Sequence, residues 1–126
     1  MTKKRVSIFQ LLPLREPTFF ILLSLAPQEK HGYAILKDIE EVSEGKVKLS
    51  TGTLYEALAR LLDQGLIERV SDNTEITKTL KGRSHPGKPR KAYRLTKNGR
   101  QVLEAETKRM QSLVAAAQQR LGEKRI

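Results

Sequence analysis

The sequence predicts a mainly α fold that carries a small β-hairpin and ends in one long helix. Three observations predict it. Apolar residues recur at helical spacing in several separate stretches, proline, serine, threonine and glycine punctuate the ends of those stretches, and two short β-like runs flank a long polar loop. At 126 residues and 14.3 kDa the chain has the size of one domain, and its 38% hydrophobic content suffices for one modest core.

The first helix starts near Pro17, well suited to a first helical turn, and stops before Pro27. Phe19, Phe20, Ile21, Leu22, Leu23 and Leu25 leave it almost no polar face, so it needs cover on all sides, from its own domain and from a second chain. Lys3, Lys4 and Arg5 precede this apolar run as they would in a secretion signal. Arg15 and Glu16 interrupt such a segment, however, and the uncharged run from Thr18 to Ala26 is far below the ~20 residues that span a bilayer. A buried core helix in a cytoplasmic protein is the expectation.

The second helix spans about Gly32 to Ser43, with Ile35, Leu36, Ile39 and Val42 as its apolar stripe and Gly45 as its stop. Lys46 to Leu49 then form a short extended connector. Ser50 is a good N-cap for a third helix that continues to Gln64, with Leu54, Leu58, Leu61 and Leu62 inward and Gly65 closing it. Two strands follow, Leu66–Val70 and Lys91–Leu95, separated by the loop Ser71 to Arg90. Thr96 caps a final helix that reaches about Leu121, a rod of roughly 37 Å. Its stripe, Leu103, Met110, Leu113, Val114, Ala117 and Leu121, is longer than so small a globule can cover. With Phe19 and Phe20 it is expected to pack against a second copy of the chain.

Charge is distributed unevenly. Lysine and arginine total 24 against 14 acidic residues, a net +10 with a pI near 10.1. Between Ile76 and Leu103 there is no acid, yet Lys78, Lys81, Arg83, Lys88, Arg90, Lys91, Arg94, Lys97 and Arg100 contribute +9 of that total. A solvated loop is the bland reading of such a run. Its position directly after a helix–turn–helix pair favours a surface that grips phosphates. Three helices, a tight turn before the third and a basic two-stranded ribbon describe a winged helix-turn-helix. In that fold the third helix enters the major groove by its N-terminal end. Ser50, Thr51, Thr53 and Tyr55 lie there, and Arg60 follows further along. Ser50 reads equally well as an N-cap alone, and Tyr55 reads equally well as packing against the hairpin. The expected organisation is a DNA-binding winged helix-turn-helix domain over residues 1–95 and a C-terminal dimerisation helix over 96–126.

Other chemistries find no support. Without cysteine there is no disulfide, thiolate metal site or cysteine nucleophile, and without tryptophan stacking platforms for single-stranded RNA are poor. His31 and His85 are far apart, and Asp38, Glu40, Glu41 and Glu44 fall on a solvated helix face, so no metal, cofactor or enzymatic function is expected. The alternative outside DNA binding is a winged-helix adaptor that binds other proteins.

The chain resembles the PadR family of bacterial transcriptional regulators over nearly its whole length. The resemblance is carried by Glu16-Pro17-Thr18-Phe19-Phe20-Ile21-Leu22-Leu23, His31-Gly32-Tyr33-Ala34-Ile35 and Ser50-Thr51-Gly52-Thr53-Leu54-Tyr55-Glu56-Ala57-Leu58. Gly65-Leu66-Ile67-Glu68 and Gly87-Lys88-Pro89-Arg90-Lys91-Ala92-Tyr93-Arg94-Leu95-Thr96 complete it, in order. It is similar to the shorter subfamily with a single C-terminal dimerisation helix. The resemblance implies a homodimeric repressor on a palindromic operator, released by a small-molecule effector. Ser50, Thr51, Thr53 and Tyr55 would then meet the DNA, with Lys88, Arg90 and Lys91 in the wing. By analogy the effector would sit where helix one meets the C-terminal helix between subunits. The wing is longer than the family's usual hairpin, and the tryptophans that sandwich planar drugs in some relatives are absent here.

Overall fold

The computed structural model describes residues 8–70 and 91–122. A 3-10 turn, Ile8–Leu11, leads in. It is followed by α1 (Glu16–Leu25), β1 (Lys30–His31), α2 (Gly32–Val42), α3 (Thr51–Asp63), β2 (Ile67–Val70), β3 (Ala92–Leu95) and α4 (Lys97–Leu121). The architecture is the winged helix-turn-helix with a long C-terminal helix. The predicted loop Ser71 to Arg90, with Lys88, Arg90 and His85, lies outside the described residues.

Helix α1 is the centre of the core. Its Ile21 and Leu22 are fully buried, and they join Ile35 and Ile39 of α2, Leu54, Leu58 and Leu61 of α3, and Val102 and Leu103 of α4. Removing such side chains from water stabilises by roughly 1.5–3 kcal/mol each before chain entropy is set against it. Among the described residues α1 is not completely covered, since Phe19, Phe20 and Leu23 remain only partly buried.

Three sequence expectations need correction. Val42, expected on the apolar stripe of α2, is 49% exposed. The inward row runs Gly32, Ile35, Ile39 and then Ser43, because steps of four residues hold a helix face better than the last step of three. Ser43 is buried where its Oγ accepts from Val47 N at 2.9 Å and anchors the connector.

The sheet has three strands rather than two, in the order β1-β3-β2, both pairs antiparallel. Lys30 pairs with Tyr93 and His31 with Ala92 on one side of β3, while Ile67 pairs with Leu95 and Val70 with Ala92 on the other. A strand of two residues has no period to read. As the central strand, β3 buries both Ala92 and Tyr93.

Leu103, placed on the stripe offered to a second chain, is 6% exposed and belongs to the core of its own chain. The free stripe starts later. Every residue from Gln111 to Leu121 is exposed, and Leu113, Val114 and Leu121 stand at 55%, 54% and 81%.

The caps follow the sequence closely. Gly65 takes φ +74°, and Leu66 N donates back to Leu61 O at 3.0 Å, closing α3 with a left-handed turn. Thr96 starts α4, its Oγ1 accepting from Gly99 N at 3.0 Å and donating to Gly65 O at 2.7 Å, while Thr96 N donates to Leu66 O at 3.1 Å. A β-carbon on Gly99 would collide with the Leu66 carbonyl, so glycine here permits the close docking of α4 on the end of α3.

Candidate nucleic-acid interface

The first turn of α3 is built as a donor-rich, solvent-facing tip. Ser50 Oγ accepts from Thr53 N at 3.1 Å, which is the N-cap bond, and donates to Thr53 Oγ1 at 3.0 Å. The cap reading of Ser50 is therefore realised, and its proton is used within the turn. The Thr53 hydroxyl keeps its own proton for another acceptor, and Thr51 is exposed beside it. No acidic residue lies in this first turn, so the positive end of the helix dipole is unopposed there.

Tyr55 is 44% exposed, and its hydroxyl lies against Gly32 at the start of α2, where a β-carbon has no room. The same phenol is close enough to Tyr93 of β3 to raise that residue's pKa, second to burial, while Arg69 of β2 hydrogen-bonds Tyr93 and opposes the rise. Tyr55 thus ties the tip of α3 to α2 and to the sheet while keeping one edge in solvent.

Of the acid-free basic stretch, the described cations divide in two. Arg94 Nε donates to Glu68 Oε2 at 2.7 Å, directly across the strand pair, with Glu29 at 4.0 Å, and Glu68 holds the guanidinium firmly protonated. Arg100 Nη2 donates to Ala26 O at 2.8 Å, linking α4 to the end of α1. These two serve the chain itself. Lys91 and Lys97 are exposed and have no side-chain partner among the described residues. Lys91 is thus the one predicted wing cation that the structure describes, at the mouth of β3, where its carbonyl accepts from His31 Nδ1 at 3.3 Å. That bond ties β1 to the start of β3. Among the described residues no group of three or more His, Cys, Asp or Glu is arranged to hold a metal ion.

Arg60 is exposed, but it lies nine residues beyond Thr51, about 14 Å along the helix axis. It lines a cavity with Arg15 and Thr18 instead of joining the tip. Sequence reasoning passed over a second pair. Tyr33 is 70% exposed in the first turn of α2, with Lys37 Nζ 5.6 Å from its ring centroid. The signal was available, since four residues separate them on the face opposite Ile35 and Ile39.

A helix–turn–helix with its third helix exposed at the N-terminus, a three-stranded wing sheet and a projecting last helix define a winged-helix regulator. The model of the PadR-like family of transcriptional regulators matches residues 21–105, from mid-α1 into α4, and the chain belongs to that family. Its members are transcriptional regulators and not enzymes. A PadR family regulator from Clostridium difficile superposes with a TM-score of 0.62 at 26% identity, over 82% of this chain and 96% of that one. Bacillus subtilis PadR in complex with operator DNA gives a TM-score of 0.56 at 25% identity, over 72% of this chain and 46% of that one. An uncharacterised 37.1 kDa protein of transposon TN4556 from Streptomyces fradiae is 38% identical over 93 residues, 74% of this chain; the chain spans about a fifth (22%) of its length.

Proposed function

We propose that this chain is a homodimeric repressor that binds a palindromic operator in double-stranded DNA and acts in the cytoplasm. The observation that carries the reading is the α3 tip, which is exposed and free of acid, together with Lys91 ahead of β3, an exposed cation without a side-chain partner among the described residues. Thr51, Thr53 and the solvent edge of Tyr55 read base edges, with Ser50 holding the turn that presents them. Lys91, with Lys88 and Arg90 of the wing, grips phosphates and supplies affinity without sequence information. Residues 1–95 form the reading domain and residues 96–126 the dimerisation element, in which Met110, Leu113, Val114, Ala117 and Leu121 meet their copies and the partly buried Phe19 and Phe20 gain the cover they lack. The likeness to a PadR solved on operator DNA supports the partner, and the exposed apolar end of α4 supports the dimer. Among the described residues no helix is long and apolar enough to cross a membrane.

The test is selection of duplexes from a sheared genomic library, followed by gel-shift titration. The expected result is one enriched palindrome. Thr51→Ala and Thr53→Ala should then relax discrimination at single base positions, each by about 1–3 kcal/mol. Enrichment of no discrete site contradicts the proposal.

A further inference from the structure

Gly52 has no reason within the described residues to be glycine. It lies in the first turn of α3, inside the helix, and a β-carbon placed on it would meet nothing within 4 Å. Glycine in a helix is unfavourable relative to alanine, and no packing here offsets that cost. Gly32 and Gly99 differ, because each is crowded by a neighbour in its own chain. At an open position, a missing side chain permits the close approach of something outside the chain.

The face that carries Gly52 holds one acid in its middle. Leu54, Ala57, Leu58 and Leu61 turn into the core, while Gly52, Glu56, Ala59 and Asp63 follow at steps of four, three and four along the opposite face, all exposed. Asp63 ends the helix, about 10 Å beyond Glu56. Glu56 thus stands between a position with no side chain and one with a single methyl. Its carboxylate has no hydrogen bond or ion pair among the described residues, not even with Arg60 one turn further on. A carboxylate carried into the major groove comes near two strands of phosphates of its own sign, so it needs a donor there. Cytosine presents its N4 amino group as a donor alone, whereas adenine sets the N7 acceptor beside its amino group.

We propose that Glu56 sets base specificity by accepting from the N4 amino group of a cytosine in each half-site, and that Gly52 lets α3 approach the base edges closely enough for that contact. The inference rests on the DNA binding proposed above and adds a reader that the hydroxyls of the tip do not supply. A threonine hydroxyl donates or accepts and tolerates more than one base, but a carboxylate only accepts. The acid therefore also excludes: opposite O6 and N7 of guanine or O4 of thymine it meets only acceptors and is left unpaired.

The experiment selects binding sites from randomised duplexes with the full chain and with Glu56→Gln, Glu56→Ala and Gly52→Ala. Gel-shift titration of the selected duplexes follows, with melting temperatures as the control of folding. The parent should fix a cytosine at one position of each half-site and lose about tenfold or more in affinity when that base pair alone is changed. Glu56→Gln should exchange the preference there for adenine, whose N6 and N7 suit an amide, and leave the other positions as they were. Glu56→Ala should bind all four base pairs at that position about equally. Gly52→Ala should weaken operator binding about fivefold or more, with a melting temperature no lower than the parent's. A half-site that requires no cytosine, Glu56 variants that keep the parent's preference at every position, or an equal loss on every duplex in both variants overturns the role of Glu56. Unchanged operator affinity in Gly52→Ala overturns the role of the glycine. A parent that enriches no duplex refutes the proposed DNA binding and this inference with it, whereas a palindrome whose base preferences are indifferent to Glu56 refutes this inference alone.

Discussion

The Tyr55 hydroxyl occupies the space in which any residue other than glycine at position 32 would place its β-carbon. The recognition helix is therefore held against the start of α2 by the absence of a methyl group. The colliding atoms belong to the far end of a side chain, so Gly32→Ala is expected to displace Tyr55 rather than unfold the protein. Stability should change by less than about 1 kcal/mol, while operator affinity falls. In a Tyr55→Ala background the same substitution should change affinity little. A double-mutant cycle by gel shift and thermal melting measures this coupling.

Gly99 presents the opposite case, because its obstructing neighbour is the Leu66 backbone carbonyl, which cannot swing away. Gly99→Ala should cost roughly 1–3 kcal/mol through overpacking, read as a lowered denaturant midpoint. Thr96→Val removes both the cap bond to Gly99 N and the bond to Gly65 O, and should cost about 1–2 kcal/mol.

Glu106 is 2% exposed and joins α4 to the lead-in segment. It accepts from Arg109 Nε at 2.6 Å, from Arg109 Nη2 at 2.9 Å and from Leu14 N at 3.1 Å. The Arg109 hydrogen bonds hold its pKa below the ordinary 4.5, against the opposing effect of burial and with a smaller contribution from Leu14. A lowered folded pKa means that its stabilisation is complete above the ordinary value and is lost as pH falls through the folded one. Glu106→Gln should therefore flatten the acid limb of the stability profile below about pH 4.5 and, by disturbing a buried network, cost about 1–3 kcal/mol at neutral pH. Urea melts across pH 3–7 measure both.

The dimer makes a separate demand. Leu113→Glu puts a charge on the stripe of α4 that is exposed among the described residues, so the monomer fold should survive while association is lost. Light scattering should give twice 14.3 kDa for the parent chain and 14.3 kDa for the variant. A variant that still weighs twice the monomer removes this stripe from the interface.

Much of the fold was legible because local signals agreed with global ones. Pro17, Ser50, Gly65 and Thr96 each do in the structure what their chemistry suggests in the sequence. What was not legible depends on neighbours remote along the chain. The pairing of Lys30–His31 with β3 joins residues some sixty positions apart and rests on backbone groups that every residue carries. The burial of Glu106 needs Arg109 and the lead-in together, and no hydrophobic pattern announces a satisfied carboxylate. The same holds for the candidate site. The Ser50 cap and the exposed threonines follow from the sequence, but the hydrogen bonds of Arg94 to Glu68 and of Arg100 to the Ala26 carbonyl, which occupy two guanidinium groups with the chain itself, join residues remote in sequence.

Hydroxyl-radical footprinting on the selected operator tests the central claim most directly, because it reads recognition helix, wing and dimer at once. The account predicts two protected half-sites with centres one helical turn apart, ~34 Å, both weakened as salt rises and both lost in Leu113→Glu at low protein concentration. A single unpaired footprint, or protection that is uniform along any duplex, contradicts it.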